Sequence, residues 1–102
     1  MTETVRDDAA RRRYELPVGD ELAFIDYLRD GRNVIMTHAE VPPALRGGGV
    51  GSALVKGALA IVRAQGEKVV PLCPFVAQYM RRHPETQALL AVALGSGRSG
   101  PP

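Results

Sequence analysis

Val41-Pro42-Pro43-Ala44-Leu45-Arg46-Gly47-Gly48-Gly49-Val50-Gly51-Ser52 is the stretch on which the fold turns. It reads as a strand end, a rigid proline step, a glycine-rich turn and a helix start. Such a turn exposes several backbone N–H groups at the positive end of a helix, and its glycines let an anion come close to the backbone. That geometry suits phosphate. No Gly-Lys-Ser/Thr follows, which disfavours a nucleotide-hydrolase loop, and no acidic residue stands at the distance a dinucleotide ribose requires. Taken alone, the stretch can also be read as a glycine-rich turn that binds nothing.

Upstream, turns at Pro17-Val18-Gly19-Asp20 and Asp30-Gly31-Arg32-Asn33 separate strands expected at 12–16, 21–29 and 34–41. Loops this short predict an antiparallel meander. Alternation along the second strand divides Ala23, Ile25 and Tyr27 from Leu22, Phe24, Asp26 and Leu28. Along the third it places Met36, His38 and Glu40 on one face. Downstream the period changes: Val50, Leu54, Gly57/Ala58, Ile61 and Val62 predict a helix over 50–65, with Gly66 as its left-handed stop. Val69-Val70-Pro71-Leu72-Cys73 reads as a short buried strand beside the third. A second helix is expected from Pro74 to about His83, and a last helical stretch from Glu85 to Leu94. The fold class is therefore α+β (α/β), an antiparallel meander followed by helix, strand and helix.

A chain of 102 residues supports one core, burying about 65% of its surface. A composition 45% hydrophobic and 24% charged excludes wholesale disorder. Residues 1–10 and 95–102 read as unstructured ends around a domain at 11–94. No apolar run approaches the ~20 residues of a membrane span, and Met1-Thr2-Glu3-Thr4 lacks the marks of a signal peptide, so a cytoplasmic location without membrane contact is expected. The single cysteine, Cys73, excludes an intrachain disulfide and a multi-cysteine zinc motif, and no metal is expected. The net charge of +2 is spread among 11 acids, and Arg11-Arg12-Arg13 alternates across a strand start instead of forming one basic face. Nucleic acid is not an expected partner.

Set between strand and helix, the glycine turn resembles the acyl-CoA pyrophosphate loop of the GNAT N-acetyltransferase superfamily. The pattern Gln/Arg-x-x-Gly-x-Gly/Ala is met by Arg46, Gly49 and Gly51, with Val41 at the strand end. Ala77-Gln78-Tyr79 with His83-Pro84 is a near match to the last GNAT motif. His38 to Pro43, Val69 to Ala77 and His83-Pro84-Glu85 are similar to the small, stand-alone members over about residues 12 to 90, although Ala39 stands where those members usually carry threonine. The resemblance implies a minimal GNAT-like fold whose strands ending near Val41 and Cys73 are parallel neighbours that splay apart. It implies acetyl-CoA as acyl donor, with the pyrophosphate on Gly47, Gly48, Gly49, Val50, Gly51 and Ser52, and Arg46 near the phosphates. Val41 would hold the pantetheine arm, with the thioester between His38 to Val41 and Cys73 to Tyr79. Arg81 and Arg82 stand within reach of a ribose phosphate, or form a solvated helix end.

The implied function is acetyl transfer to a primary amine, either a small molecule or a lysine side chain. An amine of pKa ~10.4 costs about 4.6 kcal/mol to deprotonate at pH 7, so a base is useful. Glu40 is the preferred base and His38 its alternative; a strand-end ion pair and an ordinary polar contact are their structural roles otherwise. Tyr79 corresponds to the tyrosine that protonates the departing thiolate in many members, or packs on the sheet. Cys73 offers an acetyl-cysteine route in place of direct transfer, or is simply buried. The alternative function is a non-catalytic CoA-binding or protein-interaction module, since larger members use an N-terminal helical region to build the acceptor site. Monomer and homodimer are both compatible with the sequence.

Overall fold

In the computed structural model, which describes residues 4–91, the first strand forms inside a segment expected to be unstructured. β1, Arg6–Asp8, pairs antiparallel with β2, Arg13–Val18. Composition alone hides it because its anchors are distant. The Tyr27 hydroxyl donates to Asp7 Oδ1 at 2.6 Å, Arg6 reaches Glu15, and Val5 packs against Gly57 of the first helix. The expected tail at 95–102 lies outside the described residues.

β3, Glu21–Asp30, and β4, Asn33–Glu40, continue the meander, and β5, Lys68–Pro71, adds a parallel edge to give the order β1-β2-β3-β4-β5. The crossover from β4 to β5 carries α1, Val50–Ala64, which lies on one face of the sheet. Its buried residues, Leu54, Val55, Ala58, Leu59 and Val62, meet Tyr14, Leu16, Ala23, Ile25, Tyr27, Val34, Met36 and Val69 in a single core. Gly66, at φ +69°, ends the helix as expected. Its N–H bonds the carbonyl of Arg63 at 3.1 Å, and that of Glu67 bonds Val62 at 3.0 Å, satisfying two terminal acceptors.

Two elements differ from their sequence reading. β5 stops at Pro71, and Leu72 turns outward at 63% exposure instead of joining a buried strand. The last stretch is a 3-10 turn, Pro84–Leu89, followed by extended chain at Leu90, and not the start of the helix expected over 85–94, of which residues 92–94 lie outside the described residues. Two contacts redirect it. The Thr86 hydroxyl and Gln87 amide donate to carbonyls at the end of α2, Pro74–Arg82, and the Ala91 N–H bonds Val69 on the open edge of β5 at 2.9 Å. An edge strand with unpaired carbonyls outcompetes a short helix.

The alternation expected along β4 breaks at a bulge. Asp26 pairs with His38 but Tyr27 pairs with Met36, leaving Thr37 as the extra residue. Met36 therefore points into the core while His38 and Glu40 point away from the helices. The expectation that all three share one face is corrected, because one inserted residue reverses the phase of everything beyond it.

A Cβ at Gly57 would collide with Val5 Cγ2. Gly57→Ala is expected to destabilise despite a helix-propensity gain of about 1 kcal/mol, because overpacking costs about 1–3 kcal/mol and β1 must lift. Thermal unfolding checks this. A raised midpoint would show that Val5 yields freely.

Candidate functional site

Val41 leads into Pro42 and a single 3-10 turn, Pro43–Leu45, closed by the Leu45 N–H on the Pro42 carbonyl at 2.9 Å. Arg46 then reverses over that turn, and its Nε donates to the Val41 carbonyl at 3.0 Å, tying the loop to the strand end. Gly47 and Gly49 take φ of +86° and +80°, a region that side chains with a Cβ rarely enter. Gly49 caps α1, and the first bond within the helix runs from the Ala53 N–H to the Gly49 carbonyl at 3.0 Å. The amides of Val50, Gly51 and Ser52 precede it and stay free for an acceptor. With no acidic side chain in this first turn, the positive helix end is uncompensated.

Beside this loop the sheet opens. β4 and β5 pair only as far as Met36 and Pro71, and the Cys73 N–H closes the wedge on the Met36 carbonyl at 2.9 Å. From there β4 runs on to Glu40 with no partner on its β5 side among the described residues. The Thr37 bulge and the outward turn at Leu72 together separate the strands. A cleft of about 620 Å³ fills the gap. Its walls are His38, Ala39, Glu40 and Val41 from the strand, Leu45, Arg46, Gly47, Gly49, Val50, Gly51 and Ser52 from the loop and helix start, and Phe75 from the first turn of α2.

The structure thus brings together His38, Glu40, Val41, Arg46, Gly47, Gly49, Val50, Gly51 and Ser52 in one cleft. His38 Nε2 lies 3.1 Å from Glu40 Oε1, where an imidazole N–H donates to the carboxylate, and both side chains are more than half exposed. Gly48 lies in the loop without forming the wall.

Cys73 and Tyr79 are not on that wall. Cys73 is 4% exposed within the core. Tyr79 stacks on His83 with ring centres 3.9 Å apart and lines a separate hollow with Lys56, Arg63 and Glu85. Burial raises the Tyr79 hydroxyl pKa above its ordinary value, and the nearby Glu85 carboxylate adds to the shift. Arg81 and Arg82 are exposed on the last turn of α2. Sequence reasoning missed Phe75 as a site residue. The available signal was its position directly after the helix-starting Pro74.

No three His, Cys, Asp or Glu side chains gather as a metal site among the described residues, and no helix there is long and apolar enough to cross a membrane. No curated protein matches the chain. A family model described as GCN5-related N-acetyl-transferase matches residues 13–89, from the start of β2 to the end of the last 3-10 turn, a span that contains the whole cleft.

Proposed function

The chain belongs to the GCN5-related N-acetyltransferase family, and from that membership we propose that it moves an acetyl group from acetyl-CoA to a primary amine, on a small molecule or a lysine side chain. The observation that carries the reading is the wedge between β4 and β5, which meets a loop of free amides at one end and the His38–Glu40 pair along its strand wall. The residues fit the donor. Left-handed Gly47 and Gly49 leave open space where a side chain would stand, so an anion can reach the backbone there.

When bound, acetyl-CoA supplies a thioester-activated acetyl group. The amides of Val50 to Ser52 hold its pyrophosphate, and Arg46, anchored on Val41, keeps the loop closed around them. The unpaired edge of β4 hydrogen-bonds the pantetheine arm as an added strand would. Glu40 takes the proton of the incoming ammonium, and His38 holds the carboxylate by its N–H. Direct transfer to the amine needs no covalent enzyme intermediate.

Calorimetry with acetyl-CoA and CoA, followed by thiol release over polyamines, amino acids and lysine peptides, tests the reading. Binding and thiol release with an amine support it. Binding without release across the panel favours a non-catalytic CoA-binding module, and no binding at tens of micromolar removes both readings.

Because the Cys73 side chain is packed in the core and off the cleft wall, Cys73→Ala is expected to keep single-turnover transfer to amine within about threefold of wild type, beside a stability loss of about 1 kcal/mol. Loss of transfer with CoA binding intact would reinstate an acetyl-cysteine route.

A further inference from the structure

Three glycines of the loop and helix start line the cleft, but for two different reasons. Gly47 and Gly49 have left-handed backbones and open space around them. Gly51 has neither. Its backbone is ordinary helix, and a Cβ there would stand 2.7 Å from Phe75 Cζ, 3.2 Å from Cε2 and 3.5 Å from Val41 Cγ2. What occupies the space that Gly51 leaves is a ring from a different helix.

Phe75 belongs to the first turn of α2, directly after Pro74, and its backbone is fixed there. Phe75 is 41% exposed and lines the cleft together with the end of β4 and the start of α1. It lies against the glycine at the start of α1 and is partly in solvent, so a side chain added at position 51 bears directly on the ring. A methyl group at position 51 displaces the ring, and the open space beside it is the cleft itself.

We propose that Phe75 is a cofactor-positioning residue: its ring, seated on Gly51, sets the width of the acyl-CoA cleft and keeps the first-turn amides of α1 clear for the donor. The proposal rests on the acyl-CoA reading above. It explains the glycine at position 51 by side-chain packing, where the loop motif suggests phosphate approach.

A double-mutant cycle on the full chain tests it, with CoA as probe in calorimetry and acetyl-CoA in steady-state kinetics. Gly51→Ala is expected to weaken CoA binding about tenfold in the wild-type background and by less than about twofold in a Phe75→Ala background, where no ring is left to displace. The KM for acetyl-CoA should rise with kcat little changed. The unfolding midpoint of Gly51→Ala should not fall, since alanine suits a helix better than glycine. That combination separates a role in the cleft from a structural one. Equal losses in both backgrounds, or unchanged CoA affinity in Gly51→Ala, would overturn the proposal while leaving the acyl-CoA reading intact. Failure of the unaltered protein to bind CoA would overturn both.

Discussion

Glu40→Gln is expected to lower kcat for acetyl transfer to an amine about 100-fold at pH 7, with the KM for acetyl-CoA nearly unchanged. The amide keeps the shape of the side chain and its contact with His38 but cannot accept a proton at neutral pH. Its effect should depend on pH. An amine of pKa ~10.4 is almost wholly protonated at pH 7, and each unit of rising pH gives about ten times more free amine until that value is approached. The variant's deficit should therefore narrow as pH rises. A deficit of constant size at every pH would assign Glu40 to acceptor binding. Full activity in the variant would leave His38 as the base, and His38→Ala would then carry the larger loss.

The second large effect concerns stability. Glu15 lies on the sheet face away from α1 yet is 1% exposed, because Arg13 and Arg6 close over it with Nε to carboxylate distances of 2.7 and 3.0 Å. Burial by itself pushes the Glu15 carboxyl upward, but the hydrogen bonds from the two guanidinium groups outweigh burial and hold its pKa below the usual value. Glu15→Ala should cost about 2 kcal/mol, less than a fully buried pair would because Arg6 is 62% exposed and regains water. At this size the unfolding midpoint should drop by about 10 °C.

A depressed carboxyl pKa stabilises the folded state above the ordinary glutamate value of about 4.3 and stops doing so as pH falls through the folded value. Wild type should thus lose stability on acidification below that point, and Glu15→Gln should show a shallower acid limb. A limb of unchanged slope would assign acid sensitivity to other carboxylates.

Elements whose signal is local were legible in the sequence. Alternation through Ala23, Ile25 and Tyr27 and the three-to-four spacing through Leu54, Ala58 and Val62 each describe a face that must be buried, and both faces meet in the core. Gly66 ends α1 because only a left-handed residue lets the last amides turn back on the helix carbonyls. What was missed depends on partners far along the chain. β1 exists because Tyr27, Glu15 and Gly57 receive it, and the extended chain at Leu90 exists because the edge of β5 lacks a neighbour.

By itself, the sequence determined the succession of strand, glycine-rich turn and helix around Val41 to Ser52, since periodicity and turn composition are properties of neighbouring residues; which of those glycines take a left-handed backbone, 47 and 49, came from the structure. Tertiary structure decided which chemical groups meet. The bulge at Thr37 turns the His38 and Glu40 side chains to the open face of the sheet at the strand edge of the cleft and leaves Met36 in the core, while β5 stops at Pro71, Phe75 lies on the cleft wall and Cys73 is buried. A one-residue register shift reverses a side chain's face at almost no local cost, so only the pairing of whole strands against a filled core can choose it.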